Sequence, residues 1–178
     1  MVLTTTQTEM LVSYRDKAYI TNILCDETMN FYNIIRNIVN IPLITSSAVM
    51  TILNSSEFSP EQMKYPNVII NGITTLILAL INNFKLTEKI NNFKTIGLKM
   101  IKLTHNIEDK LTNDLDNISI DNIRGFINEY DNLNESLEFS FPNFIKNRVK
   151  KRYINKKTLP NTLNCIGSFV ENNSVVNV

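Results

Sequence analysis

Hydrophobic and polar positions divide this chain into a succession of helical stretches, two of which carry no charge. In residues 8–36, Leu11, Tyr14, Ala18 and Ile20/Ile23 open an apolar face that Tyr32 and Ile35 resume at helical spacing. Arg15, Asp16, Lys17, Asp26 and Glu27 keep the remainder wet, and Thr6 or Thr8 is placed to cap the first turn. Residues 37–56, NIVNIPLITSSAVMTILNSS, contain no ionisable side chain, and residues 65–84, YPNVIINGITTLILALINNF, are again free of charge. As helix, runs of about 20 residues span roughly 30 Å, the hydrocarbon thickness of a bilayer. The segment between them, EFSPEQMK, is short and polar, with Pro60 suited to a turn or a helix start.

Beyond Phe84 the pattern predicts one uninterrupted helix over residues 85–115. Leu86, Ile90, Phe93, Gly97, Met100, Thr104, Ile107 and Leu111 recur at alternating steps of four and three, a heptad seam. Gly97 and Thr104 are weak members of a zipper, so the seam favours close approach of a second helix, for which the N-terminal helix is the expected partner. Residues 117–119 break the pattern. Ser119 or Asp121 then caps a terminal helix over 119–138, whose apolar face is Ile123, Phe126, Ile127, Tyr130, Leu133 and Leu137. Residues 139–144, with Pro142, end it. A basic stretch follows in Lys146, Arg148, Lys150, Lys151, Arg152, Lys156 and Lys157, and residues 159–178 read as an irregular polar tail. The organisation expected is one helical domain over 1–158 followed by that tail.

Neither uncharged run is strongly apolar. Asn40, Thr45, Ser46, Ser47 and Thr51 interrupt the first, and Asn67, Asn71, Thr74, Thr75, Asn82 and Asn83 the second. Inserted as a matched hairpin, the two runs can turn these groups toward each other. Asn40, Ser47, Thr51 and Asn54 fall on one stripe, as do Asn67, Asn71 and Thr74 or Thr75, the arrangement that associating membrane helices use. This stripe has a second reading, as the lining of a conduit in an oligomer. Arg15, Lys17 and Arg36 precede the first run and Lys85, Lys89, Lys94, Lys99 and Lys102 follow the second, whereas the connection holds Glu57, Glu61 and only Lys64. The positive-inside rule then places both termini on the cytoplasmic side. The competing reading is a soluble bundle with these runs as buried helices, favoured by a mean hydropathy of −0.07. Against it, a helix with one wet face carries a charge every few residues, and both runs avoid charge altogether. The fold class expected is therefore all-α, a two-pass transmembrane helical hairpin extended by long amphipathic helices on the side of both termini.

Composition removes much chemistry. The 178 residues include 18 basic and 17 acidic side chains, one histidine, two cysteines and no tryptophan. Near-neutral charge disfavours nucleic acid as a partner. One histidine and two distant cysteines cannot supply an ordinary four-ligand zinc site. Cys25 and Cys165 share no spacing motif and read as reduced, buried thiols. EF-hand, P-loop, dinucleotide and zincin patterns are absent, so no cofactor or metal is expected. His105, with Glu108 and Asp109 on its helix face, lacks an accompanying nucleophile motif and reads as a surface residue rather than a general base. Residues 1–7 are Thr-rich without a basic region and apolar run, so no cleaved signal peptide is expected. Asn and Ile supply more than a quarter of the chain, a bias toward A/T-rich codons of the kind found in large DNA viruses and some protists or bacteria. The basic run from Lys146 to Lys157 suits anionic lipid or an acidic protein, with about 1 kcal/mol per residue available near a charged surface.

The order of these features resembles the SLATT family. A Tyr- and Arg-containing amphipathic helix leads into a first span, a short turn, a second span and the helix EKINNFKTIGLKMIKLTHNIEDKL. A final helix containing EYDNLNESLEF then reaches the aromatic–proline break FSFPNFIKNRVKKRY. The resemblance covers roughly residues 10 to 152 and rests on element order and hydropathy. It implies a membrane-embedded, oligomeric, non-catalytic protein; bacterial relatives are proposed membrane-perturbing effectors beside nucleotide-signalling enzymes. The unusually polar spans depart from the family and count against a pore. The leading expectation is a structural or assembly component bound to a lipid bilayer and to copies of itself or capsid proteins, for instance a membrane-anchored minor capsid protein in the inner membrane of a large virus particle. A pore-forming effector and a soluble helical adaptor are the alternatives.

Overall fold

The computed structural model describes residues 5–55, 60–113 and 118–153, together with Pro160 and Leu163. Every regular element among them is an α-helix: α1 Thr5–Ser55, α2 Pro60–Asn83, α3 Leu86–Asn113, α4 Ile120–Glu135 and α5 Asn143–Tyr153. They form two compact units, one of Met1–Cys25 with Ile96–Val178 and the other of Asp26–Thr95.

The first unit has a conventional apolar core. On α1, buried residues fall at Leu11, Ala18, Thr21 and Cys25, with Ile20 and Leu24 widening the stripe. On α3, Ile96, Met100, Leu103 and Ile107 are buried, so the seam read from the sequence is broadened by the neighbouring positions 96 and 103. A Cβ built on Gly97 would lie 3.1 Å from the Cys25 Cβ and 3.3 Å from the Asn22 Oδ1. The absent side chain lets the two helix backbones approach each other. α4 packs through Ile123, Tyr130 and Leu133, and the Tyr130 ring meets Tyr14 edge-on at 5.5 Å. Phe126, Ile127 and Leu137, expected on the same face, are half-buried. Ser119 starts α4: its extended backbone lets the hydroxyl accept from the Asn122 N–H at 3.2 Å.

Three features differ from the sequence reading. The stretch after Pro142 is helical, because Ile145 and Val149 are four residues apart and both bury against the first unit. The Pro142 carbonyl accepts the Ile145 and Lys146 N–H groups, and Lys150, Lys151 and Arg152 sit in the last turn, where cations suit the helix dipole. In the tail, most of which lies outside the described residues, Pro160 and Leu163 are buried. Finally, the helix expected to run on from Phe84 is interrupted. Lys85 has a φ of 49°, in the left-handed region, and its N–H donates to the Asn82 carbonyl at 3.2 Å. A lysine there costs about 1–2 kcal/mol relative to glycine, and no Gly or Pro in the sequence announces the break.

The second unit holds the end of α1, all of α2 and the start of α3. Pro60 begins α2, where its missing N–H is no loss, and Glu61 lies in the first turn. Pro42 lies inside α1, where it withdraws one backbone donor. Tyr32 stacks on Phe93 with ring centroids 6.1 Å apart, and Lys89 lies 5.4 Å above the Tyr32 ring. Leu86, Ile90 and Phe93 are the buried apolar residues of this unit.

Candidate functional site: an apolar helix pair with a polar cleft

Both uncharged runs are helical, and both helices are long and apolar enough to cross a membrane. No described residue between Met29 and Lys85 is buried. Ile44 is 70% exposed, Ile52 67% and Leu76 62%. This exposure is continuous along both helices rather than scattered, and monomeric water-soluble proteins rarely present a contiguous apolar surface of that extent.

Four of the hydroxyls on this surface are satisfied within their own helices. Thr45 donates to the Ile41 carbonyl at 2.9 Å, Thr51 to Ser47 at 3.0 Å, Ser55 to Thr51 at 2.6 Å and Thr75 to Asn71 at 2.8 Å. Bonding back to the preceding turn leaves little polar character facing outward. Ser46 bridges the helices, its hydroxyl 3.3 Å from that of Thr74.

Between α1 and α2 lies a cleft of about 440 Å³ lined by Leu43, Ser46, Ser47, Met50, Asn54, Asn67, Ile70, Asn71 and Thr74. Of the stripe expected from spacing, Ser47, Asn54, Asn67 and Asn71 come together here. Asn40 is not among the lining residues, and Thr51 and Thr75 are exposed and bonded within their helices. Ser46 is the member the stripe misses; it pairs across the helices with Thr74, one of the two threonines that the spacing offers. The Asn67 Oδ1 is shielded from solvent without a hydrogen-bond partner.

A second groove of about 330 Å³ lies between the same helices, lined by Ile35, Ile38, Val39, Pro42, Ile77, Leu80, Ile81, Phe84 and Leu86. Its lining is wholly apolar. The helix pair is thus polar along one stretch of its seam and oily along another.

Of the remaining expected sites, the seam residues Leu86, Ile90, Phe93, Gly97, Met100 and Ile107 are buried and Leu111 is half-buried. In the basic run Arg148, Lys151 and Arg152 are exposed and Lys146 and Lys150 half-buried on α5; Lys156 and Lys157 lie outside the described residues. His105, Glu108 and Asp109 are exposed, and among the described residues no group of metal-ligating side chains assembles. Cys25 is fully buried, and Cys165 lies outside the described residues. Burial raises the Tyr130 hydroxyl above its ordinary pKa despite its hydrogen bond with Thr21, and Asp131 and Tyr14 add to the rise. Tyr14 is raised first by burial and then by Asp131.

No family model matches this chain, and no curated protein or solved structure matches it either.

Proposed function

We propose that this chain is a non-enzymatic, two-pass membrane protein acting as a structural or assembly component. The observation that carries the reading is the run from Met29 to Lys85, in which apolar side chains are presented outward along two helices and none of the described ones is buried. In water that surface forfeits about 25 cal/mol for every Å² left uncovered; in a bilayer it meets hydrocarbon. The self-bonded threonines and the inward-facing Ser46–Thr74 pair suit the same setting, where an unmade hydrogen bond costs several kcal/mol. With Arg36 before the first run and Lys85 and Lys89 after the second, the positive-inside rule directs both termini to the cytoplasmic side.

Extraction of membranes at alkaline carbonate pH tests the reading: a spanning pair stays in the pellet, whereas release into the supernatant overturns it. Topology is checked by labelling single cysteines placed at Glu61 and at Asn113. Only the first is expected to react with an impermeant reagent applied from outside the cell. An assembly role in virus particles further requires the chain in purified particles.

A second reading, a pore-forming effector, is favoured by the cleft itself. The Asn54 and Asn71 side chains are exposed and have no partner among the described residues. Carboxamides in that position seek either water or a second copy of the chain. Ion leakage from liposomes that disappears on Asn71→Leu supports this reading. Self-association without leakage, weakened by the same change, supports the assembly role.

A further inference from the structure

The apolar groove at the Ile35–Leu86 end of the helix pair has cations next in sequence to its lining residues, and we infer that it is a binding site for one anionic phospholipid. The inference rests on the membrane reading above and goes further, naming a ligand class and the residues that select it. The groove offers only hydrocarbon: Ile35, Val39 and Pro42 from α1 face Leu80, Ile81 and Phe84 around α2. An acyl chain matches that lining, and nothing in it can hold a polar ligand by hydrogen bonding.

What distinguishes the groove from ordinary lipid-facing surface is the charge where it ends. Arg36 follows the lining residue Ile35 directly, is half-exposed and has no ion-pair or hydrogen-bond partner among the described residues. Lys85 stands between the lining residues Phe84 and Leu86, on the left-handed turn that separates α2 from α3. Glycine is the residue that this backbone conformation favours, yet the position holds a cation. Glu88 is the acidic neighbour; its carboxylate lies 3.3 Å from the Lys85 ammonium, with both side chains 60% exposed. An exposed pair of this kind is worth little and yields readily to a phosphate. Lys89, already above the Tyr32 ring, adds a third positive charge one turn further on. These cations come where the charge-free runs end, the depth at which a lipid's phosphate lies when its chains occupy hydrocarbon. The groove takes the chain and Arg36 with Lys85 takes the phosphate.

The test uses the full chain reconstituted in phosphatidylcholine bilayers doped with phosphatidylglycerol, released in mild detergent and weighed intact with its retained lipid. Phosphatidylglycerol is expected to be retained in preference to phosphatidylcholine, at one molecule per chain. Arg36→Gln and Lys85→Gln are each expected to lower that preference about fivefold, from about 1 kcal/mol per cation. Ile81→Phe, which fills the groove without touching charge, lowers retention of phosphatidylglycerol as well. Arg124→Gln on α4, an exposed cation outside both the groove and the basic run, leaves it unchanged. Soluble glycerophosphate does not compete, because it lacks the chain. Equal retention of the two lipids, or indifference to Ile81→Phe, overturns the site and leaves the membrane reading intact. Each variant is first checked for carbonate resistance. Should the unmodified chain leave the carbonate pellet, the membrane reading falls and the lipid site falls with it.

Discussion

The two units spend their apolar residues in opposite ways. In the unit of Met1–Cys25 and Ile96–Val178, helices α1, α3, α4 and α5 turn Leu11, Leu24, Met100, Leu103 and Val149 inward until they are fully buried. In Asp26–Thr95, fourteen of the nineteen exposed large apolar side chains of the described chain are found, and only Leu86, Ile90 and Phe93 are buried. Charge follows the same division. The first unit's helices carry lysines and acids on their outer faces, so water is their solvent. The second unit's two runs carry no charge, and between their Asn, Ser and Thr side chains they expose large apolar ones. One chain thus contains a segment that closes over its own apolar core and a segment whose large apolar side chains stay outward.

That contrast can be broken by substitution. Leu103→Ala, in the first unit, removes a fully buried side chain and is expected to cost about 2–5 kcal/mol, read as a fall in the unfolding midpoint of the detergent-solubilised protein. Leu76→Ala, in the second, is expected to leave that midpoint almost unmoved because Leu76 is 62% exposed. Leu76→Arg sharpens the point. It is expected to weaken membrane insertion by about 3 kcal/mol in a translocation assay, whereas in a soluble helix an exposed arginine is tolerated. If Leu76→Arg inserts and folds as the parent does, the contrast between the units is wrong.

Gly97 tests the close approach inside the first unit. Gly97→Leu is expected to destabilise by about 1–3 kcal/mol through overpacking against Asn22 and Cys25. Gly97→Ala sets a contact at 3.1 Å against a gain of about 1 kcal/mol in helix propensity, and so is expected to be close to neutral. Ser119→Ala removes the α4 cap at an expected cost of about 1 kcal/mol, seen as earlier amide exchange in that helix.

The smallest effect is alkaline. Tyr14 and Tyr130 have pKa values raised above 10.0, so the folded state holds their protons more tightly than the unfolded chain does. Their contribution is complete below pH 10 and is lost as pH rises above it through the folded values. Unfolding followed from neutral pH upward is expected to show a flat stability and then a decline above about pH 10, reduced in Tyr130→Phe.

The sequence was read best where spacing is unbroken. The heptad from Leu86 to Leu111 locates the buried face of α3, and the lack of charge in residues 37–56 and 65–84 locates both apolar helices. Features set by contact between distant residues were not legible. Leu163, in a tail that reads as polar, is fully buried, and burial of a lone leucine leaves no periodic signal. Helix α5 was masked by its cations: Ile145 and Val149 are the only two buried positions among its eleven residues, and their meaning depends on what they pack against. The polar stripe meets a related limit. Spacing says which residues share a face, but a threonine bonded to its own helix and a serine bonded across to another look alike in sequence.

What the sequence alone determined is local and periodic: the helices, their apolar faces and the two charge-free lengths, since a 3.6-residue repeat and the cost of burying charge act on any chain with this order of residues. Tertiary structure decided which of those faces are covered. The same apolar residue is a core residue when other helices close over it, as at Leu103, and an outward surface when they do not, as at Leu76. Burial belongs to the neighbours as much as to the side chain, and the neighbours are chosen only when the chain has folded.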